Sequence, residues 1–170
     1  VAVEEPALGI HHAAPESAPM TAEFDDDRHA LAPGDQVLLI VEDDENFARV
    51  LMDLAREKGF KCIVSLNAEK ALQSVREYAI SAITLDLRLP DGDGWALLDR
   101  WKNDAATRHL PIHVISVEEQ EERGLRLGAM GYLKKPVSKE ALDAALTQTK
   151  EFIDRRVKQL LVVDDDEKGR

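Results

Sequence analysis

Acidic side chains follow two short apolar runs of the chain. Glu42, Asp43 and Asp44 stand directly after one run, and Asp86 stands directly after another. Two close carboxylates repel each other by about 4 kcal/mol at an effective dielectric constant near 20, so a cluster of them favours a bound cation. Mg²⁺ suits carboxylate oxygens that leave room for water and for a phosphate group. These residues predict a magnesium site if the fold brings them together.

Two further polar residues end apolar runs of the same kind. Ser116 follows one such run, and Lys135, with Pro136 after it, follows the last. A hydroxyl and an ammonium group would thus join the carboxylates if these runs are neighbouring strands of one sheet. Each of these residues also has a simpler interpretation. Asp43 or Asp44 could cap a helix, and Asp86 could belong to a turn. Ser116 and Lys135 could be an ordinary strand-end hydroxyl and an ordinary surface lysine. The functional interpretation depends on all of them meeting at one place.

The sequence pattern between these residues predicts that they lie at one edge of a sheet. Five short apolar runs alternate with amphipathic helical stretches, which is typical of an α/β fold with a doubly wound parallel sheet. Ligands of such sheets bind at the carboxyl ends of the strands, which is where the polar residues stand. The fourth helix, around residues 118–127, is predicted to be short and polar, and the fifth is predicted to begin after Ser138. The expected strands are Val37–Val41, Cys62–Leu66, Ile80–Leu85, Ile112–Ile115 and Tyr132–Lys134.

Together these motifs resemble the receiver domain of two-component response regulators. The resemblance spans about residues 36–155 and depends on the segments 41–43, 85–94 and 132–136, together with Ser116. It implies a (βα)5 flavodoxin-like fold with the strand order 2-1-3-4-5. It also implies a phosphoacceptor module of two-component signal transduction, which catalyses only its own phosphorylation and dephosphorylation.

The resemblance assigns a role to each acidic residue. Asp86 would be the phosphoacceptor, which receives the phosphoryl group from the phosphohistidine of a histidine kinase. Mg²⁺ would be held by Glu42, Asp43 and Asp86, together with the backbone carbonyl of Arg88. The kinase would act in cis or in trans, and a histidine phosphotransfer domain is a further expected partner.

The remaining site residues would respond to the phosphoryl group. By the same resemblance, Ser116 would bond one phosphoryl oxygen and Lys135 would pair with another. Ser116 and Tyr132 would form the switch, and Pro136 would follow a cis peptide bond.

Three features depart from the family pattern. Position 42 is Glu where Asp is also common, and Val117 stands where a small residue is usual. Ser116 and Lys135 are 19 residues apart, about three fewer than is usual, so about one turn of the fourth helix is missing.

A degenerate receiver that acts as an interaction module is therefore an alternative. A Mg²⁺-dependent phosphatase is less favoured, because Arg88 stands where that class carries a second Asp.

Composition and an internal repeat predict the domain organisation. The net charge of −11 disfavours nucleic acid as a partner, and no apolar stretch predicts membrane insertion.

Residues 1–34 are interpreted as a linker or disordered tail and residues 35–157 as the receiver domain. Residues 160–167 repeat the pattern of residues 38–45, so residues 158–170 are predicted to begin a second receiver, an expected neighbour in the same chain. We expect a cytoplasmic protein excised from a hybrid sensor histidine kinase or a multi-receiver protein.

Overall fold

A five-stranded parallel sheet forms the centre of the protein. The computed structural model describes the backbone of residues 24–168 and the side chains of residues 24–157. The strands of these residues are β1 (Val37–Val41), β2 (Lys61–Ser65), β3 (Ala82–Leu85), β4 (Arg88–Leu89), β5 (Gly92–Asp93), β6 (Ile112–Ser116) and β7 (Gly131–Lys134). The sheet has the order β2-β1-β3-β6-β7, and β4 and β5 form a separate antiparallel hairpin. Counting the sheet strands alone, the predicted order 2-1-3-4-5 is confirmed.

Side-chain caps mark the starts of the first and the last helix. Asp44 accepts hydrogen bonds from the backbone N–H groups of Asn46 and Phe47, so it caps the first helix. Ser138 Oγ accepts from the N–H of Ala141 and caps the last. The fourth helix has six residues, which confirms the predicted shortening. The helices of the described residues are α1 (Glu45–Glu57), α2 (Ala68–Glu77), α3 (Gly94–Asn103), α4 (Glu121–Arg126) and α5 (Lys139–Lys168).

Apolar side chains fill the space on both faces of the sheet. Leu38 and Ile40 of β1 pack with residues of α1 and α5, whereas Leu39 and Val41 pack with residues of α2 and α3. All five residues of β1 are at most 3% exposed. A central strand with helices on both sides has no solvent face, which is why its sequence is apolar throughout rather than alternating.

Residues 24–34 fold onto the domain, although we expected a linker over residues 1–34. Phe24 is buried, and the carboxylates of Asp26 and Asp27 accept hydrogen bonds from backbone N–H groups of β2. These bonds are made by side chains and require no hydrophobic periodicity, so the sequence pattern did not indicate them. Residues 1–23 of the expected linker lie outside the described residues.

The last helix differs from expectation at its end. The repeat of the β1 pattern implies a strand at residues 160–163, but the backbone of α5 remains helical through Lys168. A strand needs a neighbouring strand for its backbone groups, whereas a helix satisfies its own, and no strand of residues 24–168 pairs with this run. The interpretation of residues 158–170 as the start of a second receiver stays a prediction from the repeat. Across the described residues, no helix combines the length and the apolar character that crossing a membrane requires.

Candidate functional site

The carboxylates of three predicted site residues meet at one edge of the sheet. β1 and β3 are neighbours, with Val41 opposite Leu85, so the residues that follow them lie side by side. Glu42, Asp43 and Asp86 each place a carboxylate oxygen within 4.8 Å of the others. Because the strands are parallel and adjacent, residues 43 positions apart in sequence are brought into one cluster.

The cluster has a buried floor and an open side. Glu42 is 2% exposed and Asp86 is 6% exposed, whereas Asp43 is exposed to solvent. Asp44, the third acid of the run, caps α1 instead. Asp43, which the resemblance assigned to the metal site, lies in the carboxylate cluster, and its neighbour Asp44 makes the helix cap.

Lys135 supplies the positive charge of the site. It follows β7, and its peptide bond to Pro136 is cis. Lys135 Nζ donates hydrogen bonds to Glu42 Oε1 at 2.8 Å and to Asp86 Oδ2 at 3.3 Å. The Phe47 ring lies 4.6 Å from the same nitrogen, which adds a cation–π contact. One ammonium group therefore bridges the two buried carboxylates.

Burial and mutual repulsion make these charges costly. Burial, and then the charge of Asp86, raise the pKa of Glu42 to about 7, although the hydrogen bond from Lys135 lowers it. Burial acts to lower the pKa of Lys135, but its bonds with Glu42 and Asp86 outweigh this and raise it. The single ammonium thus offsets only part of the negative charge, and the cluster favours a further cation.

The residues present fit a hard divalent ion such as Mg²⁺. Their donor atoms are carboxylate oxygens, which Mg²⁺ prefers, and no sulfur or imidazole group belongs to the cluster. The exposed side at Asp43 leaves coordination positions for water or for a phosphate oxygen. Glu42, Asp43 and Asp86 are therefore the residues that could hold the ion.

The backbone around Asp86 is tightly fixed. Asp86 Oδ1 accepts a hydrogen bond from the N–H of Arg88 at 3.1 Å. A Cβ atom on Gly94 would lie 2.5 Å from Leu87 Cα and 2.7 Å from the carbonyl oxygen of Asp86. Only glycine allows α3 to approach so closely, so the start of this helix fixes the peptide that carries Asp86.

Ser116 and Tyr132 meet at a residue that the sequence analysis missed, Glu118. Ser116 is fully buried at the end of β6, and its Oγ accepts a hydrogen bond from the N–H of Glu118 at 3.3 Å. The hydroxyl of Tyr132 donates to the carbonyl oxygen of Glu118. The Glu118 carboxylate accepts from Trp95 Nε1 at 3.2 Å and lies 3.6 Å from Arg88 Nε. No motif of the sequence marks this residue, since its role arises from contacts among four separate elements.

The sequence matches the profile of a known protein family. The sequence profile of the response regulator receiver domain matches residues 38–147. The chain belongs to this family. The matched residues contain four of the five sheet strands in full, all of β1 except Val37, and the site residues Glu42, Asp43, Asp86, Ser116 and Lys135.

Relatives of this receiver domain include regulators of several kinds. It is 34% identical over 107 residues to the transcriptional activator protein PfeR of Pseudomonas aeruginosa, covering 63% of this chain and 35% of PfeR. It is 31% identical over 104 residues to the polar-differentiation response regulator DivK of Brucella anthropi, covering 59% of this chain and 85% of DivK. The chain therefore spans about a third of PfeR but most of DivK.

Solved structures have the same fold. A putative response regulator from Chloroflexus aurantiacus superimposes with a TM-score of 0.63 at 28% identity, covering 69% of this chain and 98% of that one. A sensor protein from Polaromonas gives a TM-score of 0.61 at 31% identity, again covering 69% and 98%. The receiver domain thus corresponds to almost the whole of each of these structures.

Proposed function

We propose that Asp86 is the phosphoacceptor of this receiver domain and that a histidine kinase is its donor. Membership of the family makes the chain a module of two-component signalling. The observation that supports the specific assignment is the position of Asp86. It is the acidic residue after β3, nearly buried, adjacent to two further carboxylates and bonded to Lys135.

The proposed reaction transfers one phosphoryl group between two side chains. An oxygen of the ionised Asp86 attacks phosphorus, an acyl phosphate bond forms, and the N–P bond of the donor phosphohistidine breaks. The imidazole keeps the electron pair of that bond. Because both reactants are anionic, the transfer needs positive charge around the transferring group. Mg²⁺ bound by Glu42, Asp43, Asp86 and the carbonyl oxygen of Arg88 would supply part of that charge.

Lys135 supplies the rest in this proposal. Its Nζ lies 3.3 Å from Asp86 Oδ2, so it is within reach of a phosphoryl oxygen attached to Asp86. Its bond to Glu42 holds the ammonium in place before the phosphoryl group arrives. The group is therefore positioned in advance and needs little reorganisation during the transfer.

Ser116 and Tyr132 are proposed to report the phosphoryl group. Ser116 Oγ would leave the N–H of Glu118 and bond a phosphoryl oxygen. The loop after β6 would then shift, and because Tyr132 bonds the carbonyl oxygen of Glu118, the tyrosine would shift with it. The six-residue α4 offers little surface for this change, so we propose output by phosphate relay or by contact with neighbouring domains.

The setting of the domain is part of the same proposal. The repeat at residues 160–167 supports a second receiver in the same chain, and the similarity to a sensor protein supports a hybrid kinase as the parent. A histidine phosphotransfer domain would be the next acceptor. The location would be cytoplasmic, where ATP is available to form the phosphohistidine.

Phosphotransfer from a histidine kinase tests the proposal. A kinase catalytic region, labelled on its histidine with radioactive ATP, is mixed with the receiver and Mg²⁺. We expect the wild type to take up the label and the Asp86→Asn variant to take up none. Asp99→Asn is the matched control, because Asp99 is an exposed acid on α3, and it should be labelled like the wild type.

Two results would contradict the proposal. Equal labelling of the wild type and the Asp86→Asn variant would mean that another residue accepts the phosphoryl group. A folded wild type that no kinase labels would favour the alternative, a degenerate receiver that acts as an interaction module.

A further inference from the structure

The acidic segment of residues 24–28, here called the edge segment, lies along the outer edge of the sheet. β2 has only β1 as a neighbour within the sheet, so its other side is an open edge. Backbone bonds from Lys61 to Gln36 and from Glu42 to Ser65 face β1 and the chain before it. The alternate residues of β2 therefore direct their N–H and C=O groups outward, where an edge strand requires other partners.

The edge segment satisfies all four outward groups of Cys62 and Val64. Asp27 Oδ2 accepts from Cys62 N–H at 2.8 Å, and Asp27 N–H donates to the Cys62 carbonyl at 2.9 Å. Asp26 Oδ2 accepts from Val64 N–H at 2.7 Å, and Arg28 Nη2 donates to the Val64 carbonyl at 2.9 Å. Carboxylates and a guanidinium thus replace the carbonyl and amide groups that a neighbouring strand would offer.

Charged groups of the segment are themselves held in place. The Asp26 side chain is 0% exposed and makes a two-bond pair with Arg28, at 2.9 Å and 2.8 Å. A buried carboxylate is tolerated only with such partners, so this geometry is specific. Asp27 pairs with Arg56 of α1 at 3.0 Å. Burial acts to raise the pKa of Asp27, but Arg56 and the Cys62 N–H outweigh it and lower the pKa.

We propose that the edge segment closes β2 against pairing with an extended strand of a second copy of this chain. The edge that it covers carries the apolar sequence Cys62-Ile63-Val64, and an uncovered edge of this kind accepts strands of other chains. Three of the four bonds come from side chains, and residues 24–28 form an irregular bend and turn instead of a strand. It therefore ends the sheet instead of extending it.

Amide hydrogen exchange on the full chain tests the closing contact. We expect the Asp26→Ala/Asp27→Ala double variant to exchange the amides of Cys62 and Val64 roughly tenfold faster or more than the wild type. The amide of Ile63, which faces β1, should not change. The matched control is Asp25→Ala, since Asp25 is the exposed acid of the same run and should leave both amides protected.

Sedimentation of the same proteins over a range of concentrations tests the consequence. The double variant should self-associate as its concentration rises, and the Asp25→Ala control and the wild type should not. Unchanged exchange of Cys62 and Val64 in the double variant would overturn the contact. Exposed amides without self-association would overturn the closing role.

Faster exchange of the Ile63 amide would show that the double variant unfolds. In that case a milder variant tests the contact. Asp27→Ala removes the carboxylate that accepts from Cys62 and leaves the Asp26–Arg28 pair intact. We expect the amide of Cys62 to exchange faster while that of Val64 stays protected. Equal protection of both amides in this variant would overturn the proposal.

Discussion

Neutralising Glu42 should change how the stability of the metal-free protein depends on pH. Burial and then the charge of Asp86 raise the pKa of Glu42 from 4.5 to about 7, despite the opposing bond from Lys135. The folded protein therefore holds this proton more tightly than the unfolded chain does. Since one pKa unit corresponds to about 1.4 kcal/mol, the raised pKa corresponds to about 3 kcal/mol of unfolding free energy. That contribution is complete below pH 4.5 and is lost as the pH rises through about 7.

Urea unfolding in EDTA, over a series from about pH 5 to about pH 8, measures this loss. Glu42→Gln keeps the size of the side chain and an acceptor for Lys135 but cannot ionise. We expect the wild type to lose about 3 kcal/mol relative to the variant across the series, so that near pH 8 the variant is the more stable protein. Glu45→Gln, an exposed acid of α1, is the control and should follow the wild type.

Parallel curves for the wild type and Glu42→Gln would refute the reasoning. They would mean that the ionised carboxylate is not disfavoured where it lies, and that the cluster does not lack positive charge. Adding Mg²⁺ extends the test, because an ion that binds the folded state stabilises it by mass action. Mg²⁺ should stabilise the wild type more than Glu42→Gln near pH 8.

Three other predictions concern the frame of the site and its access. Gly94→Ala should destabilise the domain by about 3 kcal/mol or more in thermal or urea unfolding, because the new Cβ would lie 2.5 Å from Leu87 Cα; a stable variant would show that α3 can move. Val117→Ala should speed labelling by small phosphodonors by roughly threefold, and unchanged labelling would exclude shielding by this side chain. Truncation after Arg156 should change the unfolding free energy by no more than about 0.5 kcal/mol, because Ile153 is the last buried apolar residue of α5 among the described side chains; a large loss would make the end of the helix part of the fold.

The sheet and the edge that carries the site could be predicted because both depend on strong local patterns. Apolar runs with polar residues at their carboxyl ends specify buried parallel strands and a ligand edge. Glu42, Asp86 and Lys135 were therefore expected together, and the structure brings them together. Only the family resemblance distinguished Asp43 from Asp44, because an aspartate just before a helix can either cap the helix or face a ligand.

Features that depend on contacts between distant residues could not be predicted. The carboxylates of Asp26 and Asp27 bond β2 through side chains, and nothing in an acidic run distinguishes this from a solvated linker. Glu118 connects Ser116 and Tyr132 only because residues of four separate elements contact it. The run at 160–163 has the composition of a strand, but without a neighbouring strand the helix continues through it.

Identification of the modified residue tests the central claim most directly. The receiver is phosphorylated by a histidine kinase with Mg²⁺, and borohydride then reduces any aspartyl phosphate to homoserine. Tandem mass spectrometry of the peptides locates the change. We predict homoserine at position 86 alone, and none when the kinase or Mg²⁺ is omitted. Homoserine at another aspartate, or a phosphorylated protein with Asp86 unchanged, would contradict the assignment of Asp86 as the phosphoacceptor.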